Sequence, residues 1–103
     1  MRWTSNGELR VYSTYILSNN SMTLYIGVTN NLPRRISQHK KGHGSAFTSR
    51  YHFDRLVYFE QTSDIRDAIA REKVIKGWSR KRKIELVKTM NREWSDLSAD
   101  WLE

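Results

Sequence analysis

Two short runs and a proline constrain this chain most. Val11–Leu17 alternates β-branched and aromatic residues, as a half-buried strand does. Ser18-Asn19-Asn20-Ser21 follows, and these side chains bond local backbone and tolerate left-handed geometry. Thr23–Val28 is a second strand run, so residues 11–28 are expected to form an antiparallel hairpin with a loop of about four or five residues. Gly27 inside the second run weakens a strand, which implies that another group approaches closely there. The chain's single proline, Pro33, is tolerated only in a helix's first turn, so a helix is predicted from Leu32, capped by Asn30 or Asn31 and ending near Lys41 at Gly42. This stretch places Tyr15 and Tyr25 on neighbouring strands and Arg35 and His39 one helical turn apart.

The remaining pattern is read the same way. Gly42-His43-Gly44-Ser45 is a loop leading to Phe47–Tyr51, and Arg55–Gln61 is a third strand. Ser63 or Asp64 caps a helix reaching Lys76, with Gly77 as its stop, and Ser79 opens another that ends near Met90. Residues 1–9 form a loose lead-in, and the tail Trp94–Glu103 carries Trp94, Leu97, Trp101 and Leu102, which can pack back on the body. The expectation is one α+β domain over 1–103, with its core at about 11–94. Its order is β-β-α-β-α-α, a small three-stranded, mostly antiparallel sheet flanked by helices.

Charge narrows the partners. Eighteen Lys and Arg against eleven Asp and Glu leave +7, a balance suited to a polyanion such as nucleic acid. The absence of cysteine excludes disulfides, thiolate metal sites and cysteine nucleophiles. No apolar run is long enough to span a bilayer and the first seven residues are too polar for a secretory signal, so the expected location is the cytoplasm.

Three places break local rules. Leu32, Ile36 and His39 share a stripe with Arg35 between them, which puts a cation and an imidazole on or beside an apolar face. A structural salt bridge for Arg35 and a satisfied core histidine for His39 are the plain alternatives. On the next helix, Glu72 takes the inward slot of the stripe Ile65, Ala68, Ile69, Glu72, Ile75 or Lys76, where it needs a cation. That cation can be Arg35, a bound Mg²⁺ (an ion that keeps most of its waters and takes only one or two carboxylates), or both in turn, since an empty site often pairs such groups. Arg80, Lys81, Arg82 and Lys83 crowd the positive end of a helix dipole, an arrangement that a nucleic-acid backbone would offset and that a solvated basic turn also fits. Metalloprotease, NTPase and serine hydrolase motifs are absent.

Over residues 11–94 the chain resembles the GIY-YIG nucleases, and in particular the small stand-alone bacterial type related to the excision-repair endonuclease module. The resemblance is carried by Tyr15, by Tyr25-Ile26-Gly27, by Thr29, Asn31-Leu32, Arg35 and His39, by Glu72, and by Asn91 and Trp94. Three positions depart from the pattern: Ser13-Thr14 stands where the first motif has its Gly and Ile, and Val28 replaces a lysine of the repair nucleases.

The resemblance implies hydrolysis of DNA phosphodiester bonds, with RNA left open, using one Mg²⁺ or Mn²⁺ held by Glu72. It gives Arg35 the phosphoryl charge, and Tyr25 the role of general base beside Tyr15. It gives His39 either an orienting role or that of the base itself, and Tyr51 a contact to substrate. Structure-specific or weakly sequence-specific cutting in DNA repair or recombination is expected, with a protein partner or a homodimer supplying target recognition. The competing reading is a nucleic-acid-binding module that keeps the fold without catalysis.

Overall fold

The structure is a computed structural model that describes residues 10–42 and 51–101. The expected lead-in, the loop residues 43–50 and Leu102 lie outside those residues. Its strands are β1 (Tyr12–Ser18), β2 (Leu24–Thr29) and β3 (Arg55–Thr62), and its helices are α1 (Leu32–Lys40), α2 (Ile65–Lys76) and α3 (Arg80–Met90). The order is the expected one. The sheet runs β2-β1-β3, and both pairings are antiparallel.

Local chemistry explains the ends of these elements. In the hairpin loop the Asn19 side chain accepts from the Ser21 and Thr23 N–H groups at 3.0 Å each, while Met22 takes a left-handed φ of 64°. Asn31 caps α1 by accepting from the Arg34 N–H at 3.2 Å, and Pro33 sits in the first turn as its missing donor requires. Asp64 caps α2 through the Arg66 N–H, and Ser79 caps α3 through the Arg82 N–H.

Each face of the sheet carries its own core. Tyr15, Leu17 and Leu56 pack with Leu32 and Ile36 of α1 and with Phe53, and Tyr25, Phe59, Leu97 and Trp101 flank them. On the other face Ile16, Ile26, Val57 and Tyr58 meet Ile75 of α2 and Val87 of α3, flanked by Leu24, Trp78, Leu86 and Trp94. Val57 and Tyr58 are consecutive yet share a core, because Ile16 pairs with Tyr58 and Leu17 with Leu56. That two-against-one count is a β-bulge.

β3 is an edge strand, and the C-terminal segment bonds some of its backbone groups. The Leu56 N–H donates to Asp96 Oδ1 at 3.1 Å, Leu97 N–H donates to the Leu56 carbonyl at 2.8 Å, and Asn91 Nδ2 donates to the Val57 carbonyl at 3.1 Å. Residues 91–97 thus cover part of the edge of β3. Asp96 Oδ2 also meets Lys40 Nζ at the end of α1, 2.8 Å away. An exposed pair of this kind contributes about 0–1 kcal/mol. Stranding the Leu56 N–H would cost about 1–3 kcal/mol, so the backbone bond is the larger contribution of Asp96.

One expected face is rotated. Ala68 and Ile75 are buried as predicted, but Ile65 and Ile69 are 38% and 40% exposed. Ala68 is small enough to let α2 lie close against β1, and the buried Thr14 hydroxyl donates to the Ala68 carbonyl at 3.0 Å. Contact is therefore centred on the Ala68–Ile75 line, and the two isoleucines fall outside it.

The close approach implied by Gly27 is made by Tyr15. The two residues are cross-strand partners, and a Cβ added at Gly27 would lie 2.5 Å from Tyr15 Oη and 2.6 Å from Cζ. Gly27→Ala is expected to destabilise the protein by about 1–3 kcal/mol, the usual scale of overpacking. The loss should shrink when Tyr15→Ala removes the ring. Urea denaturation measures both, and a Gly27→Ala protein as stable as its parent would contradict this packing.

Candidate active site

With Tyr15 lying over Gly27, the pairing of Leu17 with Tyr25 puts Tyr25 on the same face of the sheet. Helix α1 crosses that face and buries His39. The three rings meet: centroids are 6.3 Å apart for Tyr15 and Tyr25, 6.2 Å for Tyr15 and His39, and 5.6 Å for Tyr25 and His39. Tyr15 Oη and His39 Nε2 are 3.4 Å apart, at hydrogen-bond distance. Tyr51 joins from outside, 42% exposed, its ring 6.2 Å from Phe53, which lies 5.6 Å from Tyr25.

Burial sets the protonation states. It raises the Tyr15 phenol well above its ordinary range, Tyr25 and Glu72 push it further, and Arg35 opposes them. Tyr15 is a protonated phenol at neutral pH. Burial, then the neighbouring Arg35 guanidinium, lowers His39 to about 4, so its imidazole is neutral at pH 7. His39 Nδ1 is buried with no partner among the described residues. His39 is therefore only half satisfied, which departs from the plain core-histidine reading.

Helix α1, which carries Arg35, packs on one face of the sheet and α2, which carries Glu72, on the other, and the charges of both residues act on the Tyr15 phenol. The ion pair between them that the sequence left open is not formed. Glu72 Oε2 instead lies 2.9 Å from Lys76 Nζ, one turn along α2. The Glu72 side chain is 19% exposed and Lys76 is 54% exposed, so the pair is a weak surface contact worth about 0.3–0.5 kcal/mol. Geometry favours this partner, because residues four apart stack on one helix face whereas Arg35 lies across the sheet.

The donor set decides what metal fits. The described residues contain no group of three His, Cys, Asp or Glu able to cage an ion. A single accessible carboxylate already holding a cation suits a largely hydrated Mg²⁺ and not a closed structural site. Glu72 fits that role.

Sequence reasoning missed Thr14. Its hydroxyl anchors the Ala68 carbonyl, one turn before Glu72, so it ties the turn carrying that carboxylate to the central strand. The signal was the departure from the first motif, where a hydroxyl replaces an aliphatic side chain. Of the basic run, Arg82 is engaged by Trp78, its guanidinium carbon 4.2 Å from the ring centroid, with Arg71 at 5.3 Å from the same ring. Lys83 is half-buried, while Arg80 and Lys81 are exposed.

The sequence matches the GIY-YIG catalytic domain family over residues 11–85. The chain belongs to the GIY-YIG family. It is 41% identical over 73 residues to a UPF0213 protein of Clostridium perfringens, covering 71% of this chain and 78% of that one. A UPF0213 protein of Pediococcus pentosaceus is 36% identical over 74 residues, covering 72% and 78%. In structure the chain is similar to a UPF0213 protein of Bacillus halodurans solved by solution NMR, with a TM-score of 0.53 and 25% identity, covering 87% of this chain and 97% of that one. Membership makes this a nuclease-type domain, whose substrate is nucleic acid, in a family of generally divalent-metal-dependent enzymes. No helix among the described residues is long and apolar enough to cross a membrane.

The burial of His39 has a pH signature. Between about pH 4 and 6.5 the unfolded chain binds a proton that the folded one refuses. The His39 contribution to stability is complete above about 6.5 and is lost as pH falls through that window, by at most about 1.4 kcal/mol per pH unit. His39→Gln should flatten the curve there, as read from urea denaturation at a series of pH values. A slope equal to the parent's would contradict a buried neutral imidazole.

Proposed function

We propose that this protein is a divalent-metal-dependent endonuclease that hydrolyses phosphodiester bonds in DNA, acting in repair, recombination or related processing. The observation that carries the reading is the Tyr15–Tyr25–His39 ring cluster, with Arg35 and Glu72 both acting on the Tyr15 phenol. A core histidine needs no tyrosine pair and arginine beside it, nor a carboxylate acting on one of those tyrosines, whereas phosphodiester hydrolysis uses a base, an anion stabiliser and a metal ligand.

Arg35 neutralises charge on the phosphoryl group as it builds in the transition state, which accounts for a cation half-buried beside the core. Tyr25 takes the proton of the attacking water. It is less buried than Tyr15, whose phenol stays protonated and serves as a hydrogen-bond donor and not a base. His39, neutral at working pH, receives or directs the Tyr15 hydroxyl and keeps the phenol cluster in place. Glu72 would hold the divalent ion, which when bound would supply Lewis-acid stabilisation of the phosphate and of the leaving 3′-oxygen. Tyr51 offers an exposed ring on which a base can stack, and Arg80 and Lys81 offer backbone contacts.

Two variants test the assignment. Glu72→Ala is expected to abolish metal-dependent cleavage while DNA binding measured in EDTA changes little. Tyr25→Phe should lose at least about two decades of rate, the usual scale of acid–base assistance. Cleavage by Glu72→Ala at the parental rate would remove its metal role, and full activity of Tyr25→Phe would move the base to His39.

A further inference from the structure

Beside Arg35 the surface sinks into a recess of about 180 Å³, lined by Thr29, Asn30, Asn31, Arg34, Arg35 and Gln38. Two of the six are arginines and none is acidic. Local sequence puts them there. Asn31 fixes the start of α1 and Pro33 occupies its first turn, so Arg34 and Arg35 fall at the positive end of the helix dipole, where acidic side chains are favoured and none is present. Neither arginine forms an ion pair with a carboxylate of the described residues, in contrast to Arg66 and Arg71.

The helix amides do not account for the recess. The Arg34 N–H already donates to the Asn31 side chain at 3.2 Å and the Arg35 N–H to the Asn31 carbonyl at 3.0 Å. The Thr29 hydroxyl is likewise engaged with the Asn31 backbone. A ligand would meet two guanidiniums and the Gln38 amide. Gln38 lies four residues after Arg34 and three after Arg35, and so stands over both on one helix face. At about 30 Å³ per water the recess holds roughly six waters, room for a phosphate and part of its sugar.

We propose that this recess binds a second backbone phosphate of the nucleic-acid strand, next to the one undergoing hydrolysis, with Arg34 as its principal contact and Gln38 in support. The inference rests on the nuclease reading and deepens it. Arg35 lines the recess and also acts on Tyr15 and His39, so the two phosphate positions are contiguous. A guanidinium fork suits a phosphate's geometry, and a second fixed phosphate sets the register of the strand over Tyr25.

The test compares the parent with Arg34→Gln and, as a control of equal charge outside the recess, Arg66→Gln. Arg34 and Arg66 are both exposed, so both variants should fold. Binding of a labelled 20-nucleotide single strand and of its duplex is measured in EDTA across a salt series. Arg34→Gln should reduce the slope of log affinity against log salt by about 0.7–0.9, one phosphate contact, and Arg66→Gln should leave it unchanged. A scan with single neutral methylphosphonate linkages should then find one position flanking the cut site that costs the parent several-fold in affinity and costs Arg34→Gln nothing further. Slopes reduced equally by both variants, or a scan identical in parent and Arg34→Gln, would overturn the inference. If the parent cleaves while Arg34→Gln behaves like it, only this inference falls; if the parent binds neither DNA, the nuclease reading falls with it.

Discussion

The ring of Tyr15 resting on Gly27 is the contact from which the rest of this molecule follows. A cross-strand neighbour with any side chain would displace that ring, and the ring's position decides where the phenol ends. Set there, it reaches His39 on α1 and shares its face with Tyr25. A missing Cβ in an edge strand thus becomes a cluster of three polar rings at the boundary of an apolar core. The same burial that packs Tyr15 keeps it protonated and keeps His39 neutral, so packing and chemistry have one cause.

The sheet has two covered faces, and the candidate site draws on both. Helix α1 brings Arg35 and His39 over one face, and α2 brings Glu72 from the other. The charges of Arg35 and Glu72 both act on Tyr15 of β1, the central strand, whose neighbour β2 is an edge strand. Each helix is held by a specific tie: Thr14 to the Ala68 carbonyl for α2, and Lys40 to Asp96 for α1. The C-terminal segment that supplies Asp96 also covers the bulged part of β3, so residues beyond the family's matched span help place the helix carrying His39.

Elements were legible where local chemistry is decisive. Pro33, the caps Asn31, Asp64 and Ser79, and the stops Gly42 and Gly77 mark positions that backbone physics restricts, and observed boundaries lie within a residue or so of those expected. Gly27 even announced a close approach without naming Tyr15. What escaped was non-local. The exposure of Ile65 and Ile69 depends on how α2 seats on β1, the partner of Glu72 on which face of the sheet carries Arg35, and the partner of the Val57 carbonyl on a segment more than thirty residues later. Hydrophobic periodicity reports that a helix has a buried side, and small residues such as Ala68 then set its rotation. The basic run on α3 is similar: its composition shows four cations, but only packing shows that Trp78 claims Arg82.

The central claim is that this cluster of rings, cation and carboxylate serves phosphodiester hydrolysis. It is tested most directly by incubating the purified protein with end-labelled single-stranded, duplex and branched DNAs and a matched RNA, in Mg²⁺, Mn²⁺ or EDTA. The account predicts discrete products with a divalent ion, strongest on DNA, and none in EDTA. Salt-sensitive binding with no product from any substrate under any metal would contradict it and leave a nucleic-acid-binding module on a nuclease fold.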